Sequence, residues 1–185
     1  MKVGVNFPVT GAARKACDEF NAGLLALTGS RVSFGMDGNS SPHVTIAMGT
    51  LRGSGDLEAL IAAVGRAVSG FPGGGGPPVM AFGPVYREDL TGHYVFADVA
   101  FPEQVRQWRT KTQNDLETFF VEPARTTDVP HLTLGHVSDG VEKVDAFINA
   151  GRVAIPECGL LSVDISMSGP KGIKQSVLKN LSLAL

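Results

Sequence analysis

The sequence predicts an α+β domain in which strands and helices alternate, with strand pairs set between the helices. Three observations carry this. Period-two and helical hydrophobic spacings follow one another along the chain. Glycine, at 23 residues, is in excess and gathers with proline at connections such as 73–78 and 169–172. At 185 residues with 43% hydrophobic and 18% charged side chains, the chain fits one compact domain over residues 1–185, large enough for its own core.

Taken in order, Val3, Val5, Phe7 and Val9 alternate along a first strand. Ala13, Ala16, Cys17, Phe20, Leu24 and Leu27 recur at helical spacing over 11–28. A short strand is expected at 32–34 and another at 43–49. Residues 54–69 place Leu57, Leu60, Ile61, Val64 and Val68 on one helical face, with Ser54 as N-cap. Strands at 79–85 and 93–101 follow. Pro102 then opens a helix to about Phe120 with Val105, Trp108 and Leu116 inward. A strand at 131–137, a helix at 139–150, and two strands at 160–168 and 176–184 complete the order.

Composition narrows the function. Sixteen basic against eighteen acidic residues give a net charge of −2. Such a chain lacks the basic field that holds long nucleic acid non-specifically, so a nucleic-acid partner should be short or held locally. Cys17 and Cys158 form no C-x-x-C pair and are read as small buried hydrophobes. The opening run is too short for a signal-peptide core, and no apolar stretch reaches the roughly 18 residues of a membrane span. A cytoplasmic monomer with no membrane association is expected.

One motif occurs twice. Residues 42–46 read Pro-His-Val-Thr-Ile and residues 130–134 read Pro-His-Leu-Thr-Leu. On a strand, alternate side chains share a face, so His43 and Thr45 point one way while Val44 and Ile46 point into the core. His131 and Thr133 repeat this against Leu132 and Leu134. The pattern arises at a given histidine with a chance of roughly 0.02, and twice among four histidines with a chance of about 0.003, so the repetition is read as functional.

Two histidines without a carboxylate suit phosphoryl transfer by general acid–base catalysis. A neutral imidazole takes a proton from the attacking hydroxyl or water, and a protonated one gives a proton to the leaving oxygen. The threonine hydroxyls donate to non-bridging oxygens, where transition-state charge must be held.

At these residues the sequence resembles the two-histidine (2H) phosphoesterase superfamily, which includes 2'-5' RNA ligase-like proteins and cyclic phosphodiesterases. Its signature is a pair of His-x-Thr/Ser-x motifs about this far apart. The Phe7-Pro8 end of the first strand, Gly83 and Tyr86 between the motifs, and the closing strand pair add to the likeness. The resemblance implies a bilobal fold, two pseudo-symmetric lobes of antiparallel sheet plus helices around a central cleft. It implies a metal-independent phosphodiesterase needing no cofactor. The substrate class is a small nucleotide or short oligonucleotide: a 2',3'-cyclic phosphate, a 2'-5' linkage or a cyclic nucleotide signal. His43 and His131 would be the acid–base pair, with Thr45 and Thr133 on the phosphate. The alternative is a nucleotide-binding module using the same cleft without turnover.

Other residues are candidates for substrate contact. Tyr86 and Tyr94 are candidates for stacking on a base. His93 is placed at the cleft rim, Phe7 on its floor, and Lys171, Lys174 and Arg87 as phosphate-steering cations. His136, five residues past His131, is expected on the opposite strand face. No metal site is expected, since the histidines lack zinc-type spacing and neither cysteine has a ligand partner nearby.

Overall fold

The computed structural model describes residues 1–53, 55–88, 93–123, 129–151, 153–170 and 173–183. Among these are nine strands and four helices: β1 (Lys2–Pro8), α1 (Gly11–Leu27), β2 (His43–Leu51), α2 (Asp56–Ser69), β3 (Val79–Arg87), β4 (Tyr94–Ala100), α3 (Glu103–Glu117), β5 (Phe120–Pro123), β6 (His131–His136), α4 (Val141–Gly151), β7 (Cys158–Gly159), β8 (Ser162–Ser168) and β9 (Lys174–Ser182). Each strand pairing among them is antiparallel, and the order across the sheet is β7-β3-β4-β6-β2-β1-β8-β9, with β5 pairing β2 off this path.

That order divides into two halves of four strands. β7-β3-β4-β6 is covered by α1 and α4, and β2-β1-β8-β9 by α2 and α3. The two motif strands are the inner edges of the two halves and meet at the centre. The core lies between the sheet and the helices: Val3, Val5, Val44, Ile46, Leu132 and Leu134 of the sheet are fully enclosed, with Leu24, Leu60, Val105 and Val144 of the helices.

Several expectations change in detail. No strand forms at 32–34. The Asn21 side chain takes over that backbone, with Nδ2 donating to the Val32 and Leu134 carbonyls and Oδ1 accepting from the Phe34 N–H. The third helix stops at Glu117, and Phe120 begins β5, which pairs with the far end of β2. Pro102 caps α3 rather than opening it. Gly49 permits the β2–β5 junction, because a Cβ there would lie 2.5 Å from the Phe120 ring. Ser54, the expected N-cap of α2, lies outside the described residues. Trp108 is core, with its indole N–H donating to the Ala67 carbonyl. Both thiols are buried, and burial pushes Cys17 up to about 12, out of the range of a reactive cysteine. No described helix is long and apolar enough to cross a membrane.

Candidate active site

The two motifs fold alike because both are strands packed on one side only. In each, the histidine and threonine are half-buried while the residues between and after them are enclosed. Val44 and Leu132 are Cα partners in the antiparallel β2–β6 pair. Counting one residue either way along that register sets His43 across from Thr133 and Thr45 across from His131. The two imidazoles and two hydroxyls therefore alternate around a single seam, on the face away from the core.

Each motif strand then carries a β-bulge at the same motif position. On β2, Thr45 pairs with Asn6 and Ala47 with Val5, leaving Ile46 extra. On β6, Thr133 pairs with Phe96 and Gly135 with Val95, leaving Leu134 extra. The twofold likeness thus extends to the neighbouring strands: Asn6 occupies in one half the place of Phe96 in the other. Bulges re-aim the strand that carries them. Here two consecutive buried residues follow each threonine, and the alternation restarts reversed.

That reversal corrects the expectation for His136. The bulge returns it to the His131 face, paired with Tyr94. It is buried, its ring stacks on His93 at 5.5 Å and meets Tyr94 edge-on at 4.6 Å. The row continues through Phe96, stacked on Tyr94 at 5.4 Å and 4.4 Å from the His131 ring, with Tyr86 on the other side of Phe96 at 6.2 Å. One side of the seam is therefore an aromatic shelf beginning at His131. Tyr86, Tyr94 and His93 all belong to it.

The opposite half is polar. Asn6 donates to Ser166 Oγ at 3.0 Å. Asp164 receives Lys174 Nζ at 2.5 Å on one oxygen and Asn180 Nδ2 at 2.6 Å on the other. Lys174 is therefore not an open phosphate-steering cation, the role expected of it. It is 4% exposed, and its charge is engaged by Asp164. Its backbone N–H also donates to Ser40 Oγ, which ties β9 to the segment leading into His43.

Ring orientation is set by carbonyls. His43 Nδ1 lies 2.7 Å from the Ser41 carbonyl and His131 Nδ1 lies 3.4 Å from that of Val129. A carbonyl only accepts, so each Nδ1 carries the hydrogen and Nε2 is the nitrogen left for proton exchange. Burial holds both histidines below their ordinary proton affinity. For His43 the value falls to about 4, with Lys174 and His131 adding to the effect and the Ser41 carbonyl and Asp164 opposing it. For His131 the Arg109 charge also lowers it, while the Val129 carbonyl and Asp98 raise it.

Arg109 and Asp98 are the residues that sequence reasoning missed. Arg109 rises from α3, and its guanidinium donates to the Thr45 carbonyl at 3.0 and 3.2 Å. Its helical spacing gave no sign of this, since α3 is rich in charged residues. Asp98 is the Cα partner of His131 and accepts a hydrogen bond from the Tyr86 hydroxyl. It alternates with Tyr94 and Phe96 along β4, a signal present in the sequence. The site therefore does hold a carboxylate beside a histidine, contrary to the expectation of two histidines alone.

Two other candidates fall away. Phe7 is fully buried on the core face, against Phe71, Phe101 and Trp108, so it cannot floor the cleft. Its Cα partner is Val44, which likewise points inward. Arg87 is bound through two hydrogen bonds to Asp145 of α4, which pins β3 to that helix. Lys171 lies outside the described residues.

No protein-family model matches the chain, and no curated protein sequence does. Solved structures do. Escherichia coli LigT complexed with 3'-AMP is similar with a TM-score of 0.65 at 15% identity, over 100% of this chain and 98% of that one. TT0787 of Thermus thermophilus is similar with a TM-score of 0.63 at 17% identity, over 99% and 98%. Usb1 of Kluyveromyces marxianus is similar with a TM-score of 0.55 at 12% identity, over 98% of each chain. Likeness of this extent, with two four-stranded halves meeting at paired motif strands, gives the chain the two-histidine phosphoesterase fold.

Proposed function

We propose that the protein is a metal-independent phosphodiesterase of the 2H type, a cytoplasmic monomer acting on a small nucleotide or short oligonucleotide. The observation that carries this is the Val44–Leu132 pairing, which sets both His–Thr motifs around one seam. The reading also draws support from the similarity to LigT, structures of which are complexed with 3'-AMP, phosphate and ATP.

The phosphate of a 2',3'-cyclic nucleotide, a 2'-5' linkage or a cyclic nucleotide signal would sit over the seam. Thr45 and Thr133 would donate to its non-bridging oxygens. In hydrolysis, Nε2 of one neutral imidazole accepts a proton from water as the water oxygen bonds to phosphorus. The bond from phosphorus to the leaving oxygen breaks, and that oxygen takes the Nε2 proton of the other imidazole. One water is consumed, and the two histidines end with protonation exchanged. With a proton acceptor and a proton donor both present, no metal hydroxide is required. The base of the substrate would lie on the shelf of Phe96, Tyr86 and Tyr94.

The test is a panel of cyclic mononucleotides, 2'-5' and 3'-5' dinucleotides and cyclic oligonucleotides, read by mass spectrometry in excess EDTA. Cleavage of at least one class is expected. Binding with no product from any of them would overturn the enzyme reading. So would activity that appears only on adding metal.

A further inference from the structure

We propose that Asp98 is a positioning residue that makes His131 the proton donor of the pair and leaves His43 as the proton acceptor. This rests on the phosphodiesterase reading and deepens it, because the repeated motif by itself treats the two histidines as equivalent.

The two halves of the cleft break that equivalence. Across from His131 on β4 stands Asp98, in direct cross-strand register. Residues so paired have Cβ atoms about 5 Å apart, close enough for opposite charges to attract. The corresponding place beside His43, on β1, is held by Pro8, which carries no charge. The same twofold relationship that matches the bulges therefore matches a carboxylate to a proline.

The carboxylate near His43 does not compensate. Asp164 has one oxygen on Lys174 and the other on Asn180, so its charge is balanced within a buried pair. Lys174 itself faces the same histidine and disfavours a second positive charge. Asp98 instead accepts from the Tyr86 hydroxyl, a partner that carries no positive charge.

Charged and titratable groups among the described residues surround both rings, which also act on each other. His43 faces Lys174 of β9, Asp164 of β8 and His131 of β6. His131 faces Asp98 of β4 and Arg109 of α3. Arg109 is fixed by the Thr45 carbonyl and lowers the proton affinity of His131, and the Val129 carbonyl and Asp98 oppose it. Removing Asp98 would take that opposition to the arginine charge away.

The roles follow. The ring opposite Asp98 holds a proton more firmly and delivers it to the leaving oxygen. The ring beside the lysine stays neutral and takes the proton of the attacking group.

The experiment is an NMR titration of the imidazole Cε1–H signals of the intact chain, assigned with single histidine variants, alongside a pH–rate profile on a cleaved substrate. In the unaltered protein His131 should titrate above His43 by about one unit or more. Asp98→Asn should lower His131 by about one unit, leave His43 nearly unmoved and pull in the alkaline limb of the profile. Asp98→Glu should restore most of the shift, which a merely structural role would not predict.

If substrate is cleaved but the order is reversed, or Asp98→Asn leaves His131 in place, this inference alone falls. If nothing is cleaved, the phosphodiesterase reading falls and the role assignment with it. Should Asp98→Asn fail to fold, the order of titration in the unaltered protein decides.

Discussion

Val44 and Leu132 are Cα partners across the seam where the two halves of the sheet meet, and both side chains are fully buried. Farther along, β2 pairs with β5 instead, so the contact is narrow for a junction that aligns two motifs. Leu132→Ala should therefore cost about 2–5 kcal/mol of stability by cavity formation. It should also lower kcat more than conservative core changes elsewhere, because small misplacements of catalytic groups are expensive. Denaturant unfolding and steady-state kinetics on the same sample check both.

The aromatic shelf carries a prediction about binding. Tyr86→Leu and Phe96→Leu should each raise KM for a nucleotide by about tenfold, within the roughly 1–3 kcal/mol of a base-stacking contact. The effect on kcat should be smaller for Tyr86, which stands one ring farther from His131. Comparing a nucleotide with a baseless phosphodiester separates stacking from phosphate contact. The baseless substrate should be insensitive to Tyr86→Leu.

The depressed proton affinity of both histidines predicts acid-shifted catalysis. The acceptor His43 is neutral above about pH 4, and the donor His131 loses its proton below the ordinary histidine value. The profile of kcat/KM should be a bell with its acid limb near pH 4 and its maximum on the acid side of 6.5. A maximum above pH 7 would contradict the burial argument.

The same burial ties stability to pH. The folded state holds His43 neutral down to about pH 4, whereas an unfolded chain takes up that proton near 6.5. Between these values the unfolded state binds more protons, so stability is present above pH 6.5 and declines as pH falls toward 4. The loss should be on the order of 2 kcal/mol after allowing for solvent access to the cleft. His43→Gln should flatten this slope in urea melts taken across the window.

Much of this arrangement was legible in the sequence. The His-x-Thr-x repeat marks two half-buried strands, and strand alternation alone turns Val44 and Leu132 inward. What alternation could not reveal was its own interruption. A bulge after each threonine inverts the pattern, so His136 shares the face of His131 rather than lying behind it. Buried charge was equally hidden. Lys174 reads as a hairpin lysine, and only folding brings Asp164 and Asn180 around it. Phe7 alternates with Asn6 along β1, and it is Asn6 that faces the cleft side. Close approach is the role of Gly135, where a side chain would collide with Leu24 of α1.

The central claim is that two imidazoles, with no metal, move the protons of phosphodiester cleavage. The most direct measurement is hydrolysis of the best substrate by the unaltered chain, His43→Ala and His131→Ala, all in excess EDTA. Each histidine variant should lose about 10²–10⁴-fold in kcat, with the double variant little worse than the poorer single one. Cleavage at the unaltered rate by either variant would contradict the account, as would loss of activity in EDTA that added metal restores.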